Sequence, residues 1–255
     1  MPKFYKKLFI LGCLALLGSG FLWWKNSKQS NNAFLEVKKV EVAIEKTTEN
    51  KIETVEEKKE QIMDKKMPNK ISIAVPFSSQ APLGKWDALH EEACEETSLL
   101  MLKYYLDGKK LTPEIAEREI QAMLAYEIKH YGKYEDSDAE EIVKLARDFY
   151  GIKNLQVVYD FSPEDLKKYL SLGHPIIEPA AGLLLGNPNF KAPGPLYHNL
   201  VLTGYEENRI ITNDPGTRKG QSYQYDINTL YTAIHDFPGN LRDIEKGRKA
   251  MIVVE

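Results

Sequence analysis

Apolar positions change their spacing partway along this chain. Between residues 91 and 106 they fall at Cys94, Leu99, Met101, Leu102, Tyr105 and Leu106. That is the pattern of a partly buried helix, and Asp107-Gly108 ends it. Thr112 followed by Pro113 opens a second helix, with threonine as cap and proline in the first turn. Ser137-Asp138-Ala139-Glu140 has the form of a capping box for a third, stopped by Gly151. A strand candidate covers 154–160, and Ser162-Pro163 to Gly173 makes a fourth helix by the same cap-and-stop logic. Then the pattern turns to strands, at 175–179, 197–205, 208–213, 221–225 and 249–254, with one helix near 228–236. Upstream, Ile71 to Phe77 is a short β-like opening segment that Pro76 confines to an edge. Helices first and strands later predict an α+β fold, N-terminal helices followed by a mainly antiparallel sheet, rather than a wound parallel one. Residues 180–195 form a loop rich in Gly, Pro and Asn just before His198, and long loops of this kind are more often functional than idle.

The first 70 residues follow another pattern. Lys3, Lys6 and Lys7 precede an uncharged run of 17 residues from Leu8 to Trp24, closed by Lys25. This is the short end of the roughly 17–25 residues that span a bilayer. Trp23 and Trp24 suit an interfacial belt, and the lysines favour a cytoplasmic start. A cleaved signal peptide could end near Gly18-Ser19-Gly20, and Ile10-Leu11-Gly12-Cys13 partly resembles a lipoprotein box. The apolar run continues past both, so residues 1–24 are expected to be a membrane anchor or uncleaved signal. Residues 25–70 are rich in Lys, Glu, Asn, Thr and Gln, with no aromatic after Phe34. Few large apolar groups among interspersed charges cannot offset the entropy of ordering, which predicts a flexible charged tether. Together these segments predict a single-pass protein of the cell membrane whose main domain, 71–255, lies on the extracytoplasmic side.

Composition narrows the function. The net charge of −3, without a basic stretch or a phosphate-binding glycine loop, gives no case for a nucleic-acid partner. Cys94 is the only cysteine of the main domain. It has no disulfide partner there, and so is either inert packing or a nucleophile.

Cysteine, histidine and carboxylate, in the order Cys94, His198, Asp214, are the parts of a thiol hydrolase. Cys94 is placed in the first turn of its helix, where partial positive charge favours thiolate. Glu91, Glu92, Glu95 and Glu96 flank it, and helical spacing lets most of the four face water. If 197–205 and 208–214 pair through a tight turn at Glu206-Glu207-Asn208, facing residues have numbers summing to about 413. His198 then faces residue 215, within one position of Asp214, close enough for the carboxylate to hold one imidazole nitrogen. Gln80, ahead of the cysteine helix, could donate its side-chain amide to a developing oxyanion. Taken singly, each has a blander reading: a buried apolar thiol, a core histidine, an Asp-Pro-Gly turn cap and a surface glutamine.

Other groups point to no metal or cofactor. His90 and Cys94, four apart, could face one metal, but no third ligand lies at helical spacing nearby. His130, His174 and His235 sit among charged or turn residues, as solvated or capping positions do. Glu178 is the one notable candidate for a glycosidase carboxylate.

Val75-Pro76-Phe77-Ser78-Ser79-Gln80-Ala81-Pro82, Trp86 and Glu92-Ala93-Cys94-Glu95-Glu96-Thr97-Ser98 resemble the bacterial cysteine peptidases related to the bacteriocin double-glycine leader peptidases. Tyr197-His198, Thr203-Gly204-Tyr205 and Asn213-Asp214-Pro215-Gly216 resemble the second half of that family's site. The resemblance spans about residues 72 to 236. It implies a papain-like fold, with Cys94 as nucleophile, His198 as general base and acid, Asp214 as orienter and Gln80 as oxyanion donor. Two departures stand out: Cys94-Glu95-Glu96 where the family often has Cys-Gly-Pro, and a longer gap from Gln80 to Cys94. No transporter module accompanies the domain, so the leader-peptide substrate does not carry over. The expectation is a membrane-anchored cysteine peptidase acting on a peptide or protein through a covalent acyl-enzyme. A thiol amidase or acyltransferase on cell-wall peptides, and a catalytically silent peptide-binding module of the same fold, are the alternatives.

Overall fold

The computed structural model describes residues 67–254. The expected anchor and nearly all of the expected tether lie outside these residues. In chain order the elements are β1 (Lys70–Ser72), α1 (Ala88–Glu91), α2 (Cys94–Leu106), α3 (Pro113–His130), α4 (Ala139–Tyr150), β2 (Leu155–Tyr159), α5 (Pro163–Ser171), β3 (Ile176–Ala181), α6 (Gly182–Leu185), β4 (Tyr197–Glu206), β5 (Arg209–Asn213), β6 (Tyr223–Asp226), α7 (Ile227–Ala233), a 3-10 turn (Leu241–Lys246) and β7 (Ala250–Val254). The fold is α+β, as the spacing predicts.

The helix boundaries follow from local chemistry. Thr112 accepts the Ile115 N–H at 3.3 Å, with Pro113 in the first turn of α3. The capping box of α4 is one residue later than expected: Asp138, not Ser137, accepts the Glu141 N–H at 2.8 Å, and Glu141 returns the bond to Asp138. Gly151 closes α4 at φ 71°, a left-handed position suited to glycine. One long helix from 91 is not formed. Asp87 caps the short α1, a turn at Glu92-Ala93 interrupts it, and α2 starts afresh at Cys94.

All seven strands pair antiparallel, in the order β2-β7-β3-β4-β5-β6, and β1 pairs only with β4. β3 runs beside the first half of β4, from Ala181 opposite Tyr197 to Ile176 opposite Leu202, and β1 takes over from Gly204 to Glu206. A side chain at Gly204 would lie 2.1 Å from the Ile71 carbonyl oxygen, so that takeover requires glycine. Strand alternation sends Ile177, Val201 and Ile252 into one apolar cluster with Leu99, Leu102, Ile120 and Leu145 of α2–α4. It sends Ile176, Leu200, Leu202, Met251 and Val253 into a second cluster, with Leu166 and Leu170 of α5 and Leu230 of α7. With both faces covered, the central strands are almost wholly buried. This fixes α2 against β4, and so sets the N-terminus of one beside the start of the other.

Candidate active site

Cys94 is the first residue of α2. The first helical bond runs from Thr97 N to Ala93 O at 3.1 Å, so the N–H groups of Cys94 and its two successors have no partner within the helix. The thiol is only 6% exposed and donates to Glu95 Oε2 at 3.0 Å. Burial above all, then the Glu95 and Glu96 charges, push the thiol well above its ordinary value, while the Asn199 N–H aimed at sulfur works the other way. This corrects the expectation that most of the four flanking glutamates face water: Glu91 is exposed and Glu92 half-buried, but the other two are not. Glu95 and Glu96 are both buried, because α2 is packed between the sheet and α3–α4 and leaves its first turn no solvent side.

His198 Nε2 meets Asp214 Oδ1 at 2.8 Å, and both side chains are buried. The register that brings them together is not the expected one. Glu206 faces Arg209 and Tyr205 faces Ile210, a two-residue turn, and a bulge between Leu202 and Gly204 then shifts the pairing so that Val201 faces Asn213. Continued past the end of β5, this pairing sets Gly216, not residue 215, opposite His198. A Cβ on Gly216 would lie 2.8 Å from His198 Cε1 and 2.9 Å from Phe190, so this position admits no side chain without moving the imidazole. Asp214 reaches the ring diagonally, from two residues back on the same side. Its other oxygen accepts Tyr225 Oη at 2.6 Å and Asn187 Nδ2 at 3.1 Å, and Oδ1 also accepts the Gly216 N–H at 3.0 Å. Burial works to raise this carboxyl, but the His198 charge and the bonds from His198, Tyr225 and Gly216 outweigh it and hold the group below its ordinary value.

Cys94, His198 and Gln80 line one cavity of about 380 Å³, with Asp136, Phe190 and Gly216 also in its wall. With Nε2 on the carboxylate, Nδ1 of His198 has no hydrogen-bond partner among the described residues. Gln80 is tied down from both sides. Its backbone N–H donates to Pro215 O at 2.9 Å, and its side-chain Nε2 donates to His90 O at 2.8 Å and Glu91 O at 3.0 Å. Both amide protons are thus committed, and the buried Oε1 is left without a partner. As arranged, Gln80 offers the cavity an acceptor. The Cys94 backbone N–H, at the start of α2, has no partner within the helix.

Sequence reasoning missed Asn187, Phe190 and Tyr225. The 180–195 loop carried a signal for the first two: Phe190 stacks edge-on against His198, ring centroids 5.3 Å apart. Tyr225 carried none. His90 is occupied elsewhere, with Nδ1 on Asp87 at 2.7 Å and Nε2 on Glu117 at 3.1 Å, and so does not share a ligand with Cys94. Among the described residues no three His, Cys, Asp or Glu side chains converge as a metal site. Glu178 is fully buried in β3 and lines no part of the Cys94 cavity.

Two solved structures are similar to this chain. A C39-like peptidase from Bacillus anthracis is 19% identical, with 73% of this chain and 98% of that one covered and a TM-score of 0.46. The peptidase domain of Streptococcus ComA, a bifunctional ABC transporter of a quorum-sensing pathway, is 14% identical, with 71% and 98% covered and a TM-score of 0.38. The comparison with curated proteins returned no match. A family profile matches residues 72–236, well over half of the sequence and all of the site just described, and by that match the chain belongs to the Peptidase_C39 like family.

Proposed function

We propose that the domain is a cysteine peptidase in which Cys94 is the nucleophile, His198 the general base and acid, and Asp214 the orienter of His198. The observation that carries this reading is the buried His198–Asp214 pair at 2.8 Å, whose histidine lies in the wall of the same cavity as a cysteine at a helix N-terminus. A carboxylate that holds one imidazole nitrogen and is itself fixed by further donors is the arrangement that orients a catalytic base.

In the reaction His198 takes the thiol proton and the sulfur keeps the bonding pair. The sulfur then forms a bond to the scissile carbonyl carbon, and the Cys94 N–H receives the developing oxyanion. As the C–N bond breaks, the proton on His198 leaves with the amine. Water then hydrolyses the thioester, with His198 again acting as base. Asp214 stays ionised throughout and holds one tautomer.

The apolar run from Leu8 to Trp24 and the charged stretch after it support a place for this domain on the extracytoplasmic side of a membrane, acting on peptide or protein substrates. Among the described residues no helix is long and apolar enough to cross a membrane. A silent peptide-binding module is the second reading, and the bond from Cys94 to Glu95 favours it, because a thiol held by a buried carboxylate is a poor nucleophile. Labelling of the full chain with a thiol-reactive activity probe, followed by mapping, separates the two. The peptidase reading predicts a label on Cys94 of the folded protein. A Cys94 that reacts only after denaturation would establish the silent module.

A further inference from the structure

Glu95 is the side chain to which the nucleophile's thiol hydrogen-bonds. Its Oε2 accepts the Cys94 thiol at 3.0 Å and its Oε1 accepts the Ser137 N–H at 3.2 Å. The Ser137 carbonyl in turn accepts Tyr197 Oη at 2.9 Å. A chain of bonds therefore runs from the sulfur through Glu95 and Ser137 to the residue beside His198, and it fixes the carboxyl in place with no room to turn towards water.

Resting on the peptidase reading above, we propose that Glu95 is a positioning residue that works in its protonated form, with the bond between Glu95 and Cys94 reversing direction as the site goes from idle to active. In the idle site the thiol donates to a carboxylate. In the active site the carboxyl donates to a thiolate. The change takes up one proton: the thiol proton passes to His198, the sulfur keeps the electron pair, and the carboxylate gains a proton from water.

Charge dictates this direction. Two anions 3 Å apart in a buried site cannot persist together. The groups around them add no relief. Glu96 on the same helix, backed by Glu127 of α3, Glu91, Glu92, Asp136 on the loop before α4 and Tyr197 on β4 are acidic or neutral. Of the two basic side chains in the cavity wall, Lys191 is 90% exposed and lies 3.4 Å from Glu91, which leaves His198 as the one that is buried. Burial foremost, with Asp136 adding to it against the bonds from Cys94 and Ser137, pushes the Glu95 carboxyl up to about 8. The neutral form is thus available through the physiological range and is lost above it.

The test is iodoacetamide alkylation of the full chain, read by mass at the Cys94 peptide, for wild type and Glu95→Gln. The amide keeps the shape and can donate to thiolate but never ionises. The two rates should be similar at pH 6, and at pH 9 the variant should be faster by about tenfold, the effect of a one-unit shift in the thiol. An equal ratio at both pH values would overturn the proposal, as would a folded variant that alkylates at neither, which would make the carboxylate a required base. Should the variant not fold, the infrared S–H stretching band of the wild type, isolated by difference from Cys94→Ala, decides. It should persist or grow from pH 6 to 9, whereas a band that fades like that of an ordinary thiol contradicts the reversal. No substrate enters either measurement, so a chain that cleaves nothing can still bear out Glu95, and a working peptidase can still refute it.

Discussion

Replacing Asp214 with asparagine is expected to lower kcat by roughly three to four orders of magnitude with little change in KM, and His198→Ala to abolish turnover. The carboxylate is surrounded by donors only: the imidazole, the Tyr225 hydroxyl, the Asn187 amide and the Gly216 N–H. An asparagine must turn its own NH₂ towards one of them. If it faces His198, the ring is driven to the other tautomer, and Nε2 becomes the acceptor. If it faces Tyr225 and Asn187, one of those donors is orphaned at a cost of about 1–3 kcal/mol. The variant should therefore melt earlier as well as turn over slowly, and the two losses are separable by assaying well below its melting temperature. A blander role predicts something else. Were Asp214 only the cap of the Pro215-Gly216 turn, asparagine would serve almost as well and kcat would hold. An active Asp214→Asn beside a dead His198→Ala would reduce the site to a Cys-His dyad.

The second large effect concerns stability. Four buried carboxyls have values raised by burial first of all: Glu95 to about 8, Glu127 to about 7, and Glu96 and Glu178 well above the ordinary range. Neither oxygen of Glu96 or Glu178 has a hydrogen-bond partner, and Glu96 faces the Glu127 charge. A carboxyl raised in the folded state stabilises the fold fully below its unfolded value near 4.5, and that contribution is lost as pH climbs through the folded value. Lowered carboxyls such as Asp214 and Asp165 (about 2) act only at more acidic pH, so they leave the range above pH 5 flat. At about 1.4 kcal/mol per unit, a combined loss of even 3 kcal/mol lowers Tm by roughly 10 °C in a domain this size. The melting temperature should fall from pH 5 to pH 8.5. A flat or rising curve would mean that water reaches these carboxylates in solution.

Much of this was legible in the residues. Thr112-Pro113, the Gly151 stop and the strand runs located most elements, because caps and alternation are local signals. What failed was what depends on neighbours distant in sequence. The helix break at Glu92-Ala93 leaves no mark in apolar spacing, yet it is what sets Cys94 at a helix start. Ser137 with Glu140 and Asp138 with Glu141 are equally good capping boxes in sequence, and what separates them is distant: the Ser137 N–H is taken by Glu95. The 3-10 turn at Leu241–Lys246 is too short and too charged to show any period. The bulge in β4 falls where β1 comes to pair at Gly204, an event no hairpin arithmetic contains. His198 and Asp214 still meet, since a carboxylate two residues back can span the diagonal. Helical spacing cannot tell which of the four glutamates are buried, because the side Glu95 faces is decided by the loop before α4, some 40 residues on in sequence.

The most direct test of the peptidase reading is a time course of a mixed peptide library with the full chain, read by mass spectrometry beside Cys94→Ala. The account predicts new fragments that arise with wild type alone, together with a transient mass increase on Cys94 equal to the acyl portion of a cleaved peptide. Fragments that arise equally with Cys94→Ala, or a wild type that binds peptides and cleaves none, would contradict it.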